Sequence, residues 1–123
     1  METQSITTIT GKQSFLVFKN NKYIIVATEN IAFFCIKNEL AVMMCFDKQE
    51  YFVYYSLEQI QNLLPGKQFY RLNRQYLINF NAIKEVEHYF TRKLYVKLTI
   101  PSPDKLLIGK EKVSSFLSWL ESR

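Results

Sequence analysis

The stretch Phe69-Tyr-Arg-Leu-Asn-Arg-Gln-Tyr-Leu-Ile-Asn79 holds two short apolar runs, Phe69-Tyr-Arg71 and Tyr76-Leu-Ile78, on either side of the polar insert Leu72-Asn73-Arg74-Gln75. Neither run is long enough to be an independent strand. The insert between them carries a guanidinium and two amides, the donors and acceptors suited to reading a polar ligand.

Upstream, Ser14-Phe-Leu-Val-Phe-Lys19 and Lys22-Tyr-Ile-Ile-Val-Ala27 flank Asn20-Asn21, residues that tolerate the positive φ of a tight hairpin turn. The apolar runs Ile31 to Ile36 and Leu40 to Phe46 flank Lys37-Asn38-Glu39, and Tyr51 to Tyr55 follows the polar turn Asp47-Lys-Gln-Glu50. These runs predict a five-strand meander within the first 55 residues. Ser56 then opens a helix as N-cap, with Gln59 placed to complete a capping box. Leu57, Ile60, Leu63 and Leu64 give that helix its apolar stripe, and Pro65-Gly66 ends it. Residues 1–13 are polar and unpatterned and read as a leader or linker remnant, with the domain occupying 14–123.

Downstream, Ile83 to Tyr89 and Lys93 to Ile100 alternate as strands around Phe90-Thr-Arg92, and Pro101-Ser-Pro-Asp104 precedes the short run Leu106-Leu-Ile108. From Lys110 to Leu120 the spacing turns helical, with Val113, Phe116, Leu117 and Leu120 on one face. The expected fold is mainly β with two short helices around one shared core. Phe33, Phe34, Tyr54, Tyr55 and Tyr70 lie within or beside apolar runs, which favours core positions over an exposed base-stacking platform.

Charge is distributed unevenly. Residues 1–65 carry five lysines against six acids, a net −1, whereas residues 66–112 carry ten Lys or Arg against four acids, a net +6. A basic half is the electrostatic footprint of a phosphate-binding protein, although an excess of this size also serves solubility.

Catalytic and metal chemistry find little support. The cysteines, Cys35 and Cys45, sit in apolar runs as buried free thiols that suit a reducing cytoplasm. With His88 as the lone histidine, no metal set forms, and His88 itself reads as a solvated histidine at a strand end. Gly11, Gly66 and Gly109 are isolated and build no phosphate loop. Glu85 and Glu87 alternate along an exposed strand face and do not read as an acid pair. No apolar stretch approaches bilayer length and the N-terminus lacks signal-peptide character, so a soluble, cytoplasmic, non-enzymatic protein without cofactors is expected.

The 69–79 stretch, followed by Ile83-Lys-Glu-Val86, resembles the signature of LytTR-type DNA-binding domains, which end many bacterial response regulators: aromatic-aromatic-Arg, a variable residue, His or Asn, Arg or Asn, a small or polar residue, an aromatic, two aliphatics and Asn. The resemblance extends over residues 14–121, through Glu29-Asn-Ile-Ala-Phe-Phe34 and Leu107-Ile-Gly-Lys110. It implies an elongated stack of small antiparallel sheets with two helices, reading double-stranded DNA through loops inserted into successive major grooves. It also implies direct-repeat promoter sites met by two copies, with weak self-association on DNA, and a receiver domain upstream. Gly109-Lys110 stands where the family commonly has Ser-Arg, which exchanges a bidentate fork for a point charge.

The resemblance maps DNA contact onto three loops: Lys37-Asn38-Glu39, Asn73-Arg74-Gln75 and Gly109-Lys-Glu-Lys112. Arg74 leads, as a rigid cationic fork fit for phosphate or a guanine edge, with Asn73 or Gln75 able to bond an adenine. Lys110 and Lys112 open a helix whose amides also attract phosphate. Lys37 and Asn38 are evenly balanced against a plain hairpin turn. Arg71 leans towards a structural role, with Glu85 or Glu87 as its expected partner. The rival reading is a β-rich protein-interaction or small-ligand-sensing module whose basic surface is incidental.

Overall fold

The computed structural model describes residues 11–123. Ten strands and two helices follow in order: β1 (Ser14–Lys19), β2 (Lys22–Ala27), β3 (Ile31–Lys37), β4 (Leu40–Cys45), β5 (Glu50–Val53), α1 (Leu57–Leu63), β6 (Phe69–Arg71), β7 (Tyr76–Asn79), β8 (Ile83–Tyr89), β9 (Lys93–Leu98), β10 (Leu106–Ile108) and α2 (Val113–Glu121). They form three antiparallel sheets, β1-β2, β5-β4-β3-β7-β6 and β10-β9-β8. The mainly β, two-helix expectation is met.

The turns follow from side-chain chemistry. Asn20 and Asn21, at φ 54° and 63°, close the β1–β2 hairpin directly between the paired Lys19 and Lys22. Asn38 and Glu39, at φ 50° and 67°, do the same between Lys37 and Leu40. Ser56 accepts from the Gln59 amide at 3.1 Å, and the Gln59 side chain accepts from the Ser56 amide at 2.9 Å, so the capping box of α1 is complete.

Two expectations of topology need correction. The first five strands are not one meander: β3-β4-β5 is a meander, but β1-β2 is a separate hairpin stacked face-on against it, Phe15 meeting Phe34 at 5.5 Å between ring centroids. The free side of β3 is taken by β7, with Phe33 opposite Ile78 and Cys35 opposite Tyr76. The two short runs flanking the insert thereby become strands, β7 through β3 and β6 through β7.

Nor is there a single core. The five-stranded sheet is buried on both faces. On one, Phe34, Met43 and Leu77 pack with Phe15 and Val17 of the hairpin and with Leu57, Ile60 and Leu64 around α1. On the other, Phe33, Val42, Tyr76 and Ile78 pack with Leu94, Val96, Leu106 and Ile108 of the third sheet and Phe116 of α2. A strand buried on both faces reads as an unbroken apolar run, which is why Ile31 to Ile36 does not alternate. Cys35 and Cys45 are free and buried, and burial pushes each thiol up to about 11.

Helix α2 sits differently from the spacing argument. Phe116 is fully buried, but Leu117 is 47% exposed and Trp119 takes its place against the core. Leu117 lies about 100° round the helix from Phe116, on the side away from Trp119. The indole is held by rings of Tyr70, Phe80 and Phe116, and its N–H donates to the Gly66 carbonyl at 2.8 Å. Tyr54 and Tyr55 also depart from the expected core: both are exposed, Tyr54 at 87%, because β5 is an edge strand and the chain leaves the sheet after Val53. They join Leu16, Phe18, Tyr23 and Phe52 around an open apolar groove.

Residues 11–13, grouped with the leader in the sequence, bond to the domain. The Lys12 amide donates to the Leu63 carbonyl at 2.6 Å, and the Thr28 amide and hydroxyl donate to the carbonyls of Gln13 and Lys12. The expectation for residues 1–10 lies outside the described residues.

Candidate nucleic-acid interface

The polar insert is staked at both ends by buried side chains. Leu72 and Tyr76 are each 2% exposed, and the Leu72 amide donates to the Tyr76 carbonyl at 2.9 Å. The Tyr76 hydroxyl donates to Asp104 at 2.8 Å; burial and this carboxylate raise its pKa. Between the stakes Asn73, Arg74 and Gln75 stand exposed. The Asn73 side-chain oxygen accepts from the Gln75 amide at 2.8 Å, an Asx turn that leaves the Asn73 amide group directed away from that bond.

Arg71 shapes this loop from beneath. Its Nε donates to the Asn73 carbonyl at 2.6 Å, one terminal nitrogen to the Arg74 carbonyl at 3.0 Å and the other to Gln61 of α1 at 3.0 Å. The structural role is therefore present, with different partners from those expected. Glu85 and Glu87 are instead bridged by Lys97, at 3.4 and 3.0 Å, because all three point outward from neighbouring positions on β8 and β9.

Register places the first loop beside the second. The Ile36 amide donates to the Gln75 carbonyl at 3.1 Å, one step past the Cys35–Tyr76 pair, so β3 runs out into Lys37-Asn38 alongside Arg74. Asn38 and Glu39 are exposed at the turn. Lys37 is turned back onto Glu50 at 2.5 Å, and this hydrogen-bonded carboxylate raises the lysine pKa.

The third loop meets the second through Lys112. Its ammonium donates to the Arg71 and Leu72 carbonyls, both at 3.2 Å, and lies over the Tyr70 ring at 5.9 Å. Asn73, Arg74, Leu107, Gly109 and Lys112 line one open concavity. Lys110 is exposed beside it at the start of a 3-10 turn, Lys110–Lys112, that leads into α2. The Glu111 carboxylate folds back over Gly109, in space that a β-carbon at position 109 would need.

The expected residues thus divide. Asn38, Asn73, Arg74, Gln75 and Lys110 are exposed on one edge, and Arg74 and Lys110 make no ion pair among the described residues. Lys37 and Lys112 lie on the same edge with their ammonium groups in internal bonds. Sequence reasoning missed one support. Asn79, fully buried, donates to the Ile31 carbonyl at 2.8 Å and accepts from Gln68 and the Asn81 amide, tying β7 to the start of β3. For Arg71 the structural role was expected and only the partners were not: the carbonyls of the insert and Gln61 in the last turn of α1 take the place of Glu85 and Glu87.

Among the described residues no cluster of His, Cys, Asp or Glu could hold a metal, and no helix is long and apolar enough to cross a membrane.

Comparison with known proteins agrees with this architecture. No curated protein matches the chain in sequence. A solved structure described as the LytTr DNA-binding domain of a methyl-accepting/DNA response regulator from Bacillus cereus superposes with a TM-score of 0.75. The two are 19% identical, and the match covers 89% of this chain and 98% of that one. The family model of the LytTr DNA-binding domain matches residues 4–121. With nearly its whole length matched, the chain belongs to the LytTR family, a family of DNA-binding and not catalytic domains.

Proposed function

We propose that this domain is a sequence-specific reader of double-stranded DNA in a bacterial transcription regulator, working through three loops set into successive major grooves. One observation supports the reading: three polar loops from separate parts of the chain lie along one edge, the first held beside the second by the Ile36–Gln75 backbone bond and the third held against the second by Lys112. Arg74 supplies the fork for a guanine edge or a phosphate pair, and Asn73 and Gln75 supply amides for an adenine. Lys110 meets the backbone at the start of the last helical segment, and Asn38 extends the contact on the far side. Lys37 and Lys112 lend charge while holding loops in place. Two copies on a direct repeat, associating weakly on the duplex, and a receiver domain ahead of this one complete the reading.

Selection from a random duplex library, followed by mobility-shift titration across salt concentrations, tests it. With about four phosphates neutralised, log affinity should fall with log salt at a slope near −3.6. Enrichment of no sequence would overturn the claim of specific reading.

Arg71 makes a distinct prediction. Arg71→Lys replaces a planar fork holding three acceptors by a single ammonium, so Asn73 to Gln75 should lose order while the domain stays folded. We expect faster amide exchange in those residues and about 3- to 10-fold weaker binding to the selected site, from about 0.7–1.4 kcal/mol of lost pre-organisation. Unchanged exchange and affinity would remove Arg71 from the functional account.

The rival reading, a protein-interaction or ligand-sensing module, draws on the exposed apolar groove of Leu16, Phe18, Tyr23, Phe52 and Tyr54. It predicts partner binding that is insensitive to salt and no retardation of any duplex.

A further inference from the structure

The third sheet carries an exposed hairpin tip outside the three loops. β8 and β9 are joined by Phe90-Thr91-Arg92, with Tyr89 paired to Lys93. Phe90 is 74% exposed, too open for a core role, and stacks on Tyr89 at 4.5 Å and 26°. Thr91 and Arg92 hold φ of 60° and 62°. A β-branched residue in the left-handed region is rare, and it fixes a narrow tip where Gly or Asn would have been easier.

Register decides where this tip points. β10 pairs antiparallel with β9, and its last pair is Ile108 with Leu94. Gly109 and Lys110 therefore leave β10 at the end of the sheet where Lys93 enters β9 and where the tip projects. Adjacent strands lie about 4.8 Å apart, so the tip flanks the third loop.

Charge is complementary to a polyanion. From His88 to Pro103 the chain contains Arg92, Lys93 and Lys97 and no acidic residue. Lys105 adds a further cation behind the tip, its ammonium 4.7 Å from the Tyr89 ring and 3.2 Å from its hydroxyl. The acids of β8, Glu85 and Glu87, lie further back and are bridged by Lys97.

We propose that the β8–β9 tip is a fourth DNA-contacting element, in which Arg92 and Lys93 bind backbone phosphates beyond those met by the third loop and Phe90 packs against the adjoining sugars. The inference rests on the proposed DNA reading and extends its footprint. Backbone contacts fix position and carry no sequence information, so their loss has a different signature from the loss of a base-reading residue.

The test compares the wild-type domain, R92A/K93A, the charge reversal R92E, and R74A on the selected duplex, on a scrambled duplex, and on duplexes shortened base pair by base pair from either end. R92A/K93A should bind both full-length sequences about 5- to 20-fold more weakly, with a salt slope lower by about 1 to 2 and the sequence preference kept. R92E should weaken binding further, and thermal melts should match wild type because both side chains are exposed or partly so. Shortening the duplex from one end only should abolish the difference between wild type and R92A/K93A. Wild-type affinity and slope in R92A/K93A, while R74A loses its preference, would overturn the fourth contact and leave the three-loop reading intact. Absence of duplex binding by the wild type itself would overturn both.

Discussion

An Arg74→Ala protein is expected to lose about 10- to 100-fold in affinity for its selected duplex while melting at the wild-type temperature, since a bidentate base pair of contacts is worth about 1–3 kcal/mol. The stability half follows from geometry. Arg74 contributes its carbonyl, not its side chain, to the Arg71 clamp, and Leu72 and Tyr76 anchor the loop on either side. Truncation at the β-carbon leaves all three in place. The binding half follows from the edge, where this guanidinium is the exposed group that combines a fixed plane with a position between the other two loops. Loss of affinity should be concentrated on the selected sequence and smaller on scrambled duplex. Equal affinity of variant and wild type on the selected site, by mobility shift, would remove Arg74 from base reading and move the site elsewhere on the molecule.

What could be read from sequence was the local part of the fold. Asn20-Asn21, Asn38-Glu39 and the Ser56–Gln59 capping box each contain the whole of their own cause within four residues, and each is present as expected. Strand pairing over long separations is different. That β3 pairs with β7, more than forty residues later, leaves no trace in period or propensity. One signal was available: Ile31 to Ile36 is unbroken apolar sequence, which implies burial on both faces and so two cores with neighbours on both edges. Reading it as one strand of a meander missed that consequence. Site residues were legible as types and not as states. Lys37 and Arg74 look alike in sequence as cations in polar loops, yet Glu50, thirteen residues on and two strands away across the sheet, captures one of them. The Gly109-Lys110 departure has no structural account, since the Glu111 carboxylate over Gly109 is the free end of an exposed side chain that could swing aside for a serine.

The double-sided sheet leads to the largest stability effect. Phe34→Ala should destabilise the domain by about 3–5 kcal/mol, the range for truncating a fully buried ring, because Phe34 meets Phe15 at 5.5 Å and Phe69 at 6.1 Å and nothing nearby can fill the void. The cavity opens in the core on the hairpin and α1 side. The lone tryptophan, Trp119, reports from the opposite core, with β3 between them as a wall common to both. If β3 and β7 couple the two layers, removing a ring from one must melt the other. Tryptophan fluorescence and far-ultraviolet circular dichroism should then shift together to the same lower urea midpoint. A Trp119 transition that keeps its wild-type midpoint while backbone signal is lost early would show the layers folding separately. In that case the loops would be carried by two independent units, and the edge on which DNA reading depends would not be a rigid one.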